Sequence, residues 1–191
     1  IETVDRQGLA MTRTYPQPGD DDTYDVETLH QNGKVFRAYG TKKNRLQGPF
    51  REYSEEGTLL LETVYEQEHP TRQQAFYMNG KLKREVKKSQ QAKLLHVQEF
   101  WDNGKLKIAG TFVESQYQRG SWDDLVEEGR VKRFSKDGQL TEETSYRDGR
   151  LDGEQKYYFA NGKLAIEQRY AKDQIRILKC YDPSGKLELS E

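Results

Sequence analysis

A glycine recurs along this chain at a nearly constant spacing, and that period limits the available folds more than any other feature. Each glycine follows a small or polar residue, and Leu or Val stands two positions after it. The seven glycines are Gly33, Gly57, Gly80, Gly104, Gly138, Gly162 and Gly185. Five of the six gaps are 23 or 24 residues, and the gap between Gly104 and Gly138 is 34. Such a period is typical of repeat proteins, and the long gap indicates one insertion of about ten residues.

The residues around each glycine predict a β-hairpin. Four positions before the glycine, six of the seven copies have an aromatic residue. This residue lies opposite the later Leu or Val if the loop contains the glycine and its two predecessors, as a type I turn followed by a left-handed residue. Pro183 suits the first loop position, where φ is about −65°. A two-residue turn would instead need positive φ at Glu56, Asp137 and Ser184, so we favour the three-residue loop.

Apolar side chains alternate along the segment after each turn. Leu106, Ile108 and Phe112 share one predicted face, whereas polar residues such as Thr141 and Glu143 mark the other face in their copy. A period of two with one apolar side predicts half-buried antiparallel strands. One hairpin cannot bury its stripe alone, so neighbouring hairpins must stack. We therefore expect an all-β fold, an elongated antiparallel meander of about seven β-hairpin repeats and roughly 12 to 14 strands.

The composition predicts a single-layer or thin core. Hydrophobic and charged residues each make up 33% of the chain, and the mean hydropathy is −1.08. Compact domains usually contain about 45–50% apolar residues. The 12 Tyr, 7 Phe and 2 Trp nevertheless argue against disorder. The formal net charge of −1 gives no reason to expect a nucleic-acid partner.

The domain organisation follows from the repeat. We expect a linker or cap over residues 1–28, where "PQPGDDD" has linker composition, and a hairpin array over 29–191 with an insertion at about 113–130. A second connection joins successive hairpins and keeps an "LxG" element in 45–53 and 150–158. This element is lost in two other copies, for which we predict more variable geometry. These copies are 67–77 and 172–181.

No catalytic or metal-binding pattern is present in the sequence. His30, His69 and His96 occupy unrelated repeat positions, and no Cys or carboxylate stands at metal-ligand spacing from them. A nucleophile elbow, a phosphate-binding glycine loop and the zinc motif HExxH are all missing. We therefore expect no enzymatic activity, no metal and no cofactor, and a chain that is monomeric when free.

The combined pattern, "LxGxxxxY" followed by "NGKLxxExxY", resembles the MORN-variant repeat of bacterial proteins in the YwqK-like antitoxin family. The resemblance covers about residues 29–190. It implies an immunity or antitoxin protein that binds a cognate toxin, such as a secreted effector enzyme, and covers its active site. Because the chain begins at Ile1 rather than Met, we expect that an upstream segment was removed, for which a signal peptide or lipid anchor is one candidate. A periplasmic or envelope-anchored location follows, with a cytoplasmic location as the alternative.

The insertion is the predicted partner-binding segment, because insertions in repeat proteins map to loops and loops frequently bind partners. Its sequence from 113 to 134 is "VESQYQRGSWDDLVEEGRVKRF". An aromatic anchor surrounded by carboxylates would suit a partner with a basic cleft. The alternative is a long solvated loop with its tryptophan packed against the sheet. The candidate residues are Tyr117, Trp122, Asp123, Asp124, Leu125, Glu127 and Glu128.

A basic run, "KLKREVKKSQQAK" over residues 81–93, is the second candidate. It could contact anionic lipid or nucleic acid. Lipid would make the chain a membrane-associated MORN-type scaffold that binds lipid or other envelope proteins. The alternative is a solvated edge or outer face that discourages aggregation. The candidate lipid contacts are Lys81, Lys83, Arg84, Lys87 and Lys88.

Overall fold

The computed structural model describes residues 1–4, 10–90, 93–115, 122 and 124–190. These residues form one open antiparallel sheet of 16 strands whose order in the sheet is their order in the chain. The all-β hairpin meander is thus confirmed, with more strands than the 12 to 14 predicted. The strands are β1 (Glu2–Val4), β2 (Ala10–Gln17), β3 (Asp20–Leu29), β4 (Val35–Lys42), β5 (Arg45–Tyr53), β6 (Leu59–Glu66), β7 (His69–Phe76), β8 (Leu82–Lys88), β9 (Leu95–Phe100), β10 (Leu106–Glu114), β11 (Leu125–Phe134), β12 (Leu140–Arg147), β13 (Arg150–Tyr158), β14 (Leu164–Ala171), β15 (Gln174–Tyr181) and β16 (Leu187–Ser190).

The chain contains two compact units, Ile1–Glu85 and Val86–Glu191. Part of the excess in strand number comes from the start of the first unit. The segment 16–22, which has linker composition, contains the end of β2, a tight turn at Pro18 and Gly19, and the start of β3. The hairpin architecture therefore begins before the first copy of the repeat recognised in the sequence.

The predicted three-residue loop is confirmed at all seven repeat glycines. Around Gly104, the Trp101 amide donates to the Lys105 carbonyl oxygen at 2.8 Å, and the Gly104 amide donates to the Trp101 carbonyl oxygen at 2.8 Å. The same pair of bonds closes the other six loops. The glycines have φ between +77° and +93°, the left-handed conformation that costs glycine least. As predicted, Phe100 lies opposite Leu106.

A bulge after this opposed pair changes the predicted apolar stripe. The register shifts between Leu106 and Ile108, so strict alternation does not run unbroken along the start of β10. Ile108 and Phe112 do pack in one apolar cluster, as predicted. A bulge inserts an extra residue and increases the local twist of the hairpin. Glycine spacing alone does not reveal it.

The second type of connection is more regular than predicted. At four of these connections, a two-residue turn with positive φ at both positions joins the strands, which is the type I′ geometry that matches strand twist. The prediction of variable geometry in 67–77 and 172–181 is wrong, because those copies use this same turn. The turns with this geometry are Lys43–Asn44, Gln67–Glu68, Asp148–Gly149 and Lys172–Asp173.

The core of the second unit is small and partly polar. Across its strands, Val97, Gly110, Val131, Thr144 and Gln155 lie opposite one another in register. Val131 and Thr144 have no exposed surface, and the Gln155 amide donates to the Thr144 hydroxyl at 3.3 Å. A side chain at Gly110 would place Cβ within 2.9 Å of a Val131 methyl group. Close approach of the two backbones therefore requires glycine here.

Side chains of the "NGK" turns bond to the next turn along the array. The Asn103 amide donates to the Lys136 carbonyl oxygen at 2.9 Å, and the Lys105 ammonium donates to the Asp137 carbonyl oxygen at 2.8 Å. The Asn103 oxygen also accepts from its own turn, from the Lys105 amide. The same two cross-turn bonds recur in both units. They join Asn32 and Lys34 to Glu55 and Glu56, and Asn161 and Lys163 to Pro183 and Ser184.

We predict that Asn103→Ala lowers the free energy of unfolding by about 1 kcal/mol, because it removes one bond within the turn and one between turns. Urea unfolding followed by tryptophan fluorescence measures this loss, since Trp101 adjoins the turn. The matched control is Asp137→Ala, which keeps the backbone acceptor and should change stability by less than about 0.5 kcal/mol. Equal effects of the two substitutions would show that the cross-turn bonds do not stabilise the array.

Trp122 belongs to the core, with 2% of its surface exposed. We predict that Trp122→Ala lowers the free energy of unfolding by about 3–5 kcal/mol, because it leaves a large cavity. Trp122→Phe, which fills most of that space, should cost about 2 kcal/mol. Urea unfolding monitored by circular dichroism measures both variants. A loss below about 1 kcal/mol for the alanine variant would contradict this placement.

Candidate functional site

The insertion replaces a two-residue turn by a ten-residue connection. β10 ends at Glu114 and β11 begins at Leu125, so residues 115–124 join two strands of the sheet. Two of the predicted partner-binding residues, Tyr117 and Asp123, lie outside the described residues. The insertion therefore makes this connection longer than the one between β8 and β9, which has six residues.

The tryptophan of the insertion is packed against the sheet. Trp122 lies in the apolar cluster with Phe112 and Val131, and its indole Nε1 donates to Glu114 Oε1 at 3.0 Å. Leu125 packs against the same cluster and is half-buried. The structure thus agrees with the packed arrangement that the sequence left as the alternative. This hydrogen bond joins Trp122, near the end of the connection, to Glu114, the last residue of β10.

The carboxylates predicted for the partner site also make bonds within the chain. Glu127 accepts from Arg133 Nη2 at 3.0 Å, and Arg133 Nη1 donates to Glu142 at 3.2 Å. Burial is the largest single effect and acts to lower the pKa of Arg133, but the combined attraction of Glu142, Tyr146 and Glu127 outweighs it, so the pKa is raised. Arg133 is therefore a permanent cation that holds two carboxylates in place.

Glu128 supports a neighbouring turn, whereas Asp124 faces solvent. Glu128 Oε2 accepts from the Asp148 amide at 2.7 Å, at the type I′ turn after β12. Asp124 is exposed beside the buried Trp122. The structure therefore gathers the described candidates at one end of β11, with Asp124 as the exposed charge among them.

The basic run lies mainly on β8, which limits how many of its cations share one face. Lys81, Lys83, Lys87 and Lys88 are exposed, and Arg84 is half-buried. Alternate side chains of a strand point to opposite faces, so one strand cannot present all of them together. The run also contains the buried Glu85, an anion that accepts from Arg72 Nη2 at 2.8 Å and from Gln74 at 2.9 Å.

A row of alternating charge crosses the face of the second unit that lies away from the core. This row was not predicted from the sequence. In this row Glu167 lies between two lysines, with its carboxylate 3.8 Å from Lys156 Nζ and 3.6 Å from Lys179 Nζ. Cross-strand pairs of opposite charge stabilise a sheet. The members of the row, on five successive strands, are Lys132, Glu143, Lys156, Glu167 and Lys179.

The glutamates of this pattern stand five residues after the turn glycine, and three of the seven copies lack them, the last copy having Ser190 at this position. The sequence carries the signal, because the glutamate is the "E" of "NGKLxxE". The copies with glutamate contain Glu62, Glu85, Glu143 and Glu167, whereas the first and fourth copies have Ala38 and Ala109. A depression lies over each alanine, of about 920 Å³ at Ala38 and about 460 Å³ at Ala109.

The two depressions differ in charge. Around Ala38 the charged lining contains three acidic residues, Asp20, Asp25 and Glu27, and two basic residues, Lys42 and Arg51. Lys42 is paired with Asp20 at 3.1 Å. Arg51 is already paired with Glu62 at 2.6 Å. Around Ala109 the charged lining is cationic, and its polar side chains come from His96, Gln98, Thr111, Arg130 and Lys132.

The described residues contain neither a metal-binding group nor a membrane-spanning helix. Within residues 1–4, 10–90, 93–115, 122 and 124–190, no group of three or more His, Cys, Asp or Glu side chains could hold a metal ion. Over the same part of the chain, the structure contains no helix of the length and apolarity needed to span a membrane.

Comparison with protein families identifies the repeat. The family model for the MORN repeat variant matches residues 95–114, 127–148 and 151–172. Each match contains one strand pair centred on a three-residue turn, namely β9–β10, β11–β12 and β13–β14. No curated protein matches the chain. The three matched copies, with their shared turn and strand geometry, support a MORN-variant repeat protein.

Proposed function

We propose that this chain is an immunity or antitoxin protein, a non-catalytic scaffold that neutralises a cognate bacterial toxin by binding it and covering its active site. The MORN-variant repeats support the scaffold, and the sequence resemblance to the YwqK-like antitoxin family supports the finer assignment. In this proposal the free chain is monomeric and acts in the periplasm or at the envelope. Neutralisation by occlusion requires a stable surface and no chemistry from the scaffold.

The observation that carries the proposal is the position of the insertion between two matched repeats. The first match ends at residue 114 and the next begins at residue 127. The intervening segment is not needed to continue the repeat, because other copies connect equivalent strands with two residues. Segments added to a rigid scaffold in this way frequently carry its binding function.

The described part of the insertion is fixed at its second end. Trp122 is buried, and its bond to Glu114 ties the segment to the sheet immediately before Leu125. A contact residue that is held in place before binding loses less conformational entropy on association. The exposed Asp124 follows directly, so a negative charge projects from a fixed base toward a partner with a basic cleft.

Anionic lipid remains the alternative ligand for the scaffold. Lys81, Lys83, Lys87 and Lys88 are exposed, which would allow electrostatic contact with a membrane surface. Such contacts weaken steeply as ionic strength rises, whereas a complex with a packed interface persists. Binding measured at low and at 0.3 M salt therefore separates the two functions, with 0.3 M as a chosen condition at which the Debye length is only about 6 Å.

The first test is affinity capture of the toxin from native-host lysate at about 0.3 M salt, where weak surface contacts are screened. We expect one stoichiometric secreted enzyme whose activity is abolished by the purified chain. With that enzyme in hand, Asp124→Lys should weaken binding about tenfold, because it reverses the exposed charge at the proposed interface. Titration calorimetry gives the dissociation constant.

The matched control is Asp137→Lys, the same charge reversal in the turn at the other end of β11. It should leave the dissociation constant within about twofold of that of the original chain, a difference of less than 0.5 kcal/mol. Equal weakening by both substitutions would indicate a general charge effect and reject the insertion as the binding site. Capture of lipid without any enzyme would reject the immunity function.

A further inference from the structure

We infer that the depression over Ala109 accepts a carboxylate from an acidic side chain of a protein partner, in the place where other repeats carry their own glutamate. The inference deepens the proposed function, on which it rests, by naming a second contact and its chemistry. It concerns the flat face of the second unit and is separate from the inserted segment. Its evidence is the interruption of a repeated charge pattern.

Register places Ala109 in the row of alternating charge. Ala109 lies opposite Gln98 on one side and Lys132 on the other, and Lys132 in turn lies opposite Glu143. The equivalent residue in the next copy, Glu143, lies between Lys132 and Lys156. A glutamate at 109 would therefore extend the row by one more opposed pair. Alanine leaves the space over β10 open.

The charges around the opening are not balanced. Glu143 pairs with Arg130 at 3.1 Å, and in the part of the chain that the structure describes Lys132 forms no ion pair. Lys132 and His96 are exposed on either side of Ala109. Thr111 adds a hydroxyl to the lining, although that hydroxyl already bonds to the Glu128 carbonyl oxygen. The opening therefore has an excess of cationic groups over carboxylates.

Charge complementarity selects an acidic side chain as the occupant. A carboxylate above Ala109 would give Lys132 an acidic neighbour on the β10 side, where its cross-strand neighbour is Ala109, and would stand where the repeat pattern has glutamate. The depression over Ala38 does not offer the same site, because Glu27 and Asp25 lie in its lining. An incoming anion would be repelled there. The two alanine copies thus provide a site and its matched control within one chain.

The test is a titration of the isotopically labelled full chain with the capped peptide acetyl-Gly-Glu-Gly-Glu-Gly-amide, followed by NMR. We expect saturable shifts at the amides of His96, Ala109 and Lys132, and none with the glutamine version of the peptide. Ala109→Glu places a carboxylate of the chain in the opening and should weaken peptide binding about tenfold. Ala38→Glu, the same change in the other alanine copy, should leave binding unaltered.

Lys132→Gln is the second variant, and it should also weaken binding about tenfold even if Ala109→Glu perturbs the fold. Unchanged binding in Lys132→Gln, or equal loss in Ala38→Glu and Ala109→Glu, would overturn the inference. So would tighter binding of inorganic phosphate or of phosphatidylglycerol vesicles than of the glutamate peptide. The test uses a peptide and not the toxin. Failure would therefore reject the site over Ala109 without rejecting the proposed immunity function, which the capture experiment tests separately.

Discussion

The left-handed glycine at the end of each three-residue loop is the constraint on which the rest of the structure depends. The two residues before the glycine begin the chain reversal, and the glycine completes it. Each copy therefore becomes a hairpin of fixed register. In three "NGK" copies, the asparagine beside the glycine then bonds to its own turn and to the next one, and the following lysine bonds to the same neighbouring turn. One short motif thus determines both the hairpin and its attachment to the next hairpin.

Fixed register gives the two faces of the second unit different physical roles. On one face, Val97 and Val131 oppose Gly110 and form the small core. On the other face, charges alternate from strand to strand, as at Lys156 and Glu167. Hydrogen bonds between turns and ion pairs across strands add to the contribution of this small core. Because charges alternate regularly across this face, a residue that interrupts the alternation, such as Ala109, is easy to recognise.

The sequence predicted the turns, the opposed pair and the all-β meander because glycine position and alternating polarity report local geometry directly. It did not predict type I′ turns such as Gln67–Glu68, since positive φ at these residue types is imposed by the flanking strands. Trp122 could be assigned to the core or to a partner only from three-dimensional packing. The row of charge was visible as a repeated glutamate, but placing Ala109 beside Lys132 required the register after the bulge.

The inserted connection, held to the sheet by Trp122, is the proposed partner-binding segment. Hydrogen–deuterium exchange of the chain, alone and in complex with the captured toxin, measures this contact directly. We expect new protection concentrated in residues 115–128 and the adjoining ends of β10 and β11, with the repeat turns unchanged. Protection confined to β8 and the basic run, or no change in the inserted connection, would contradict this proposal.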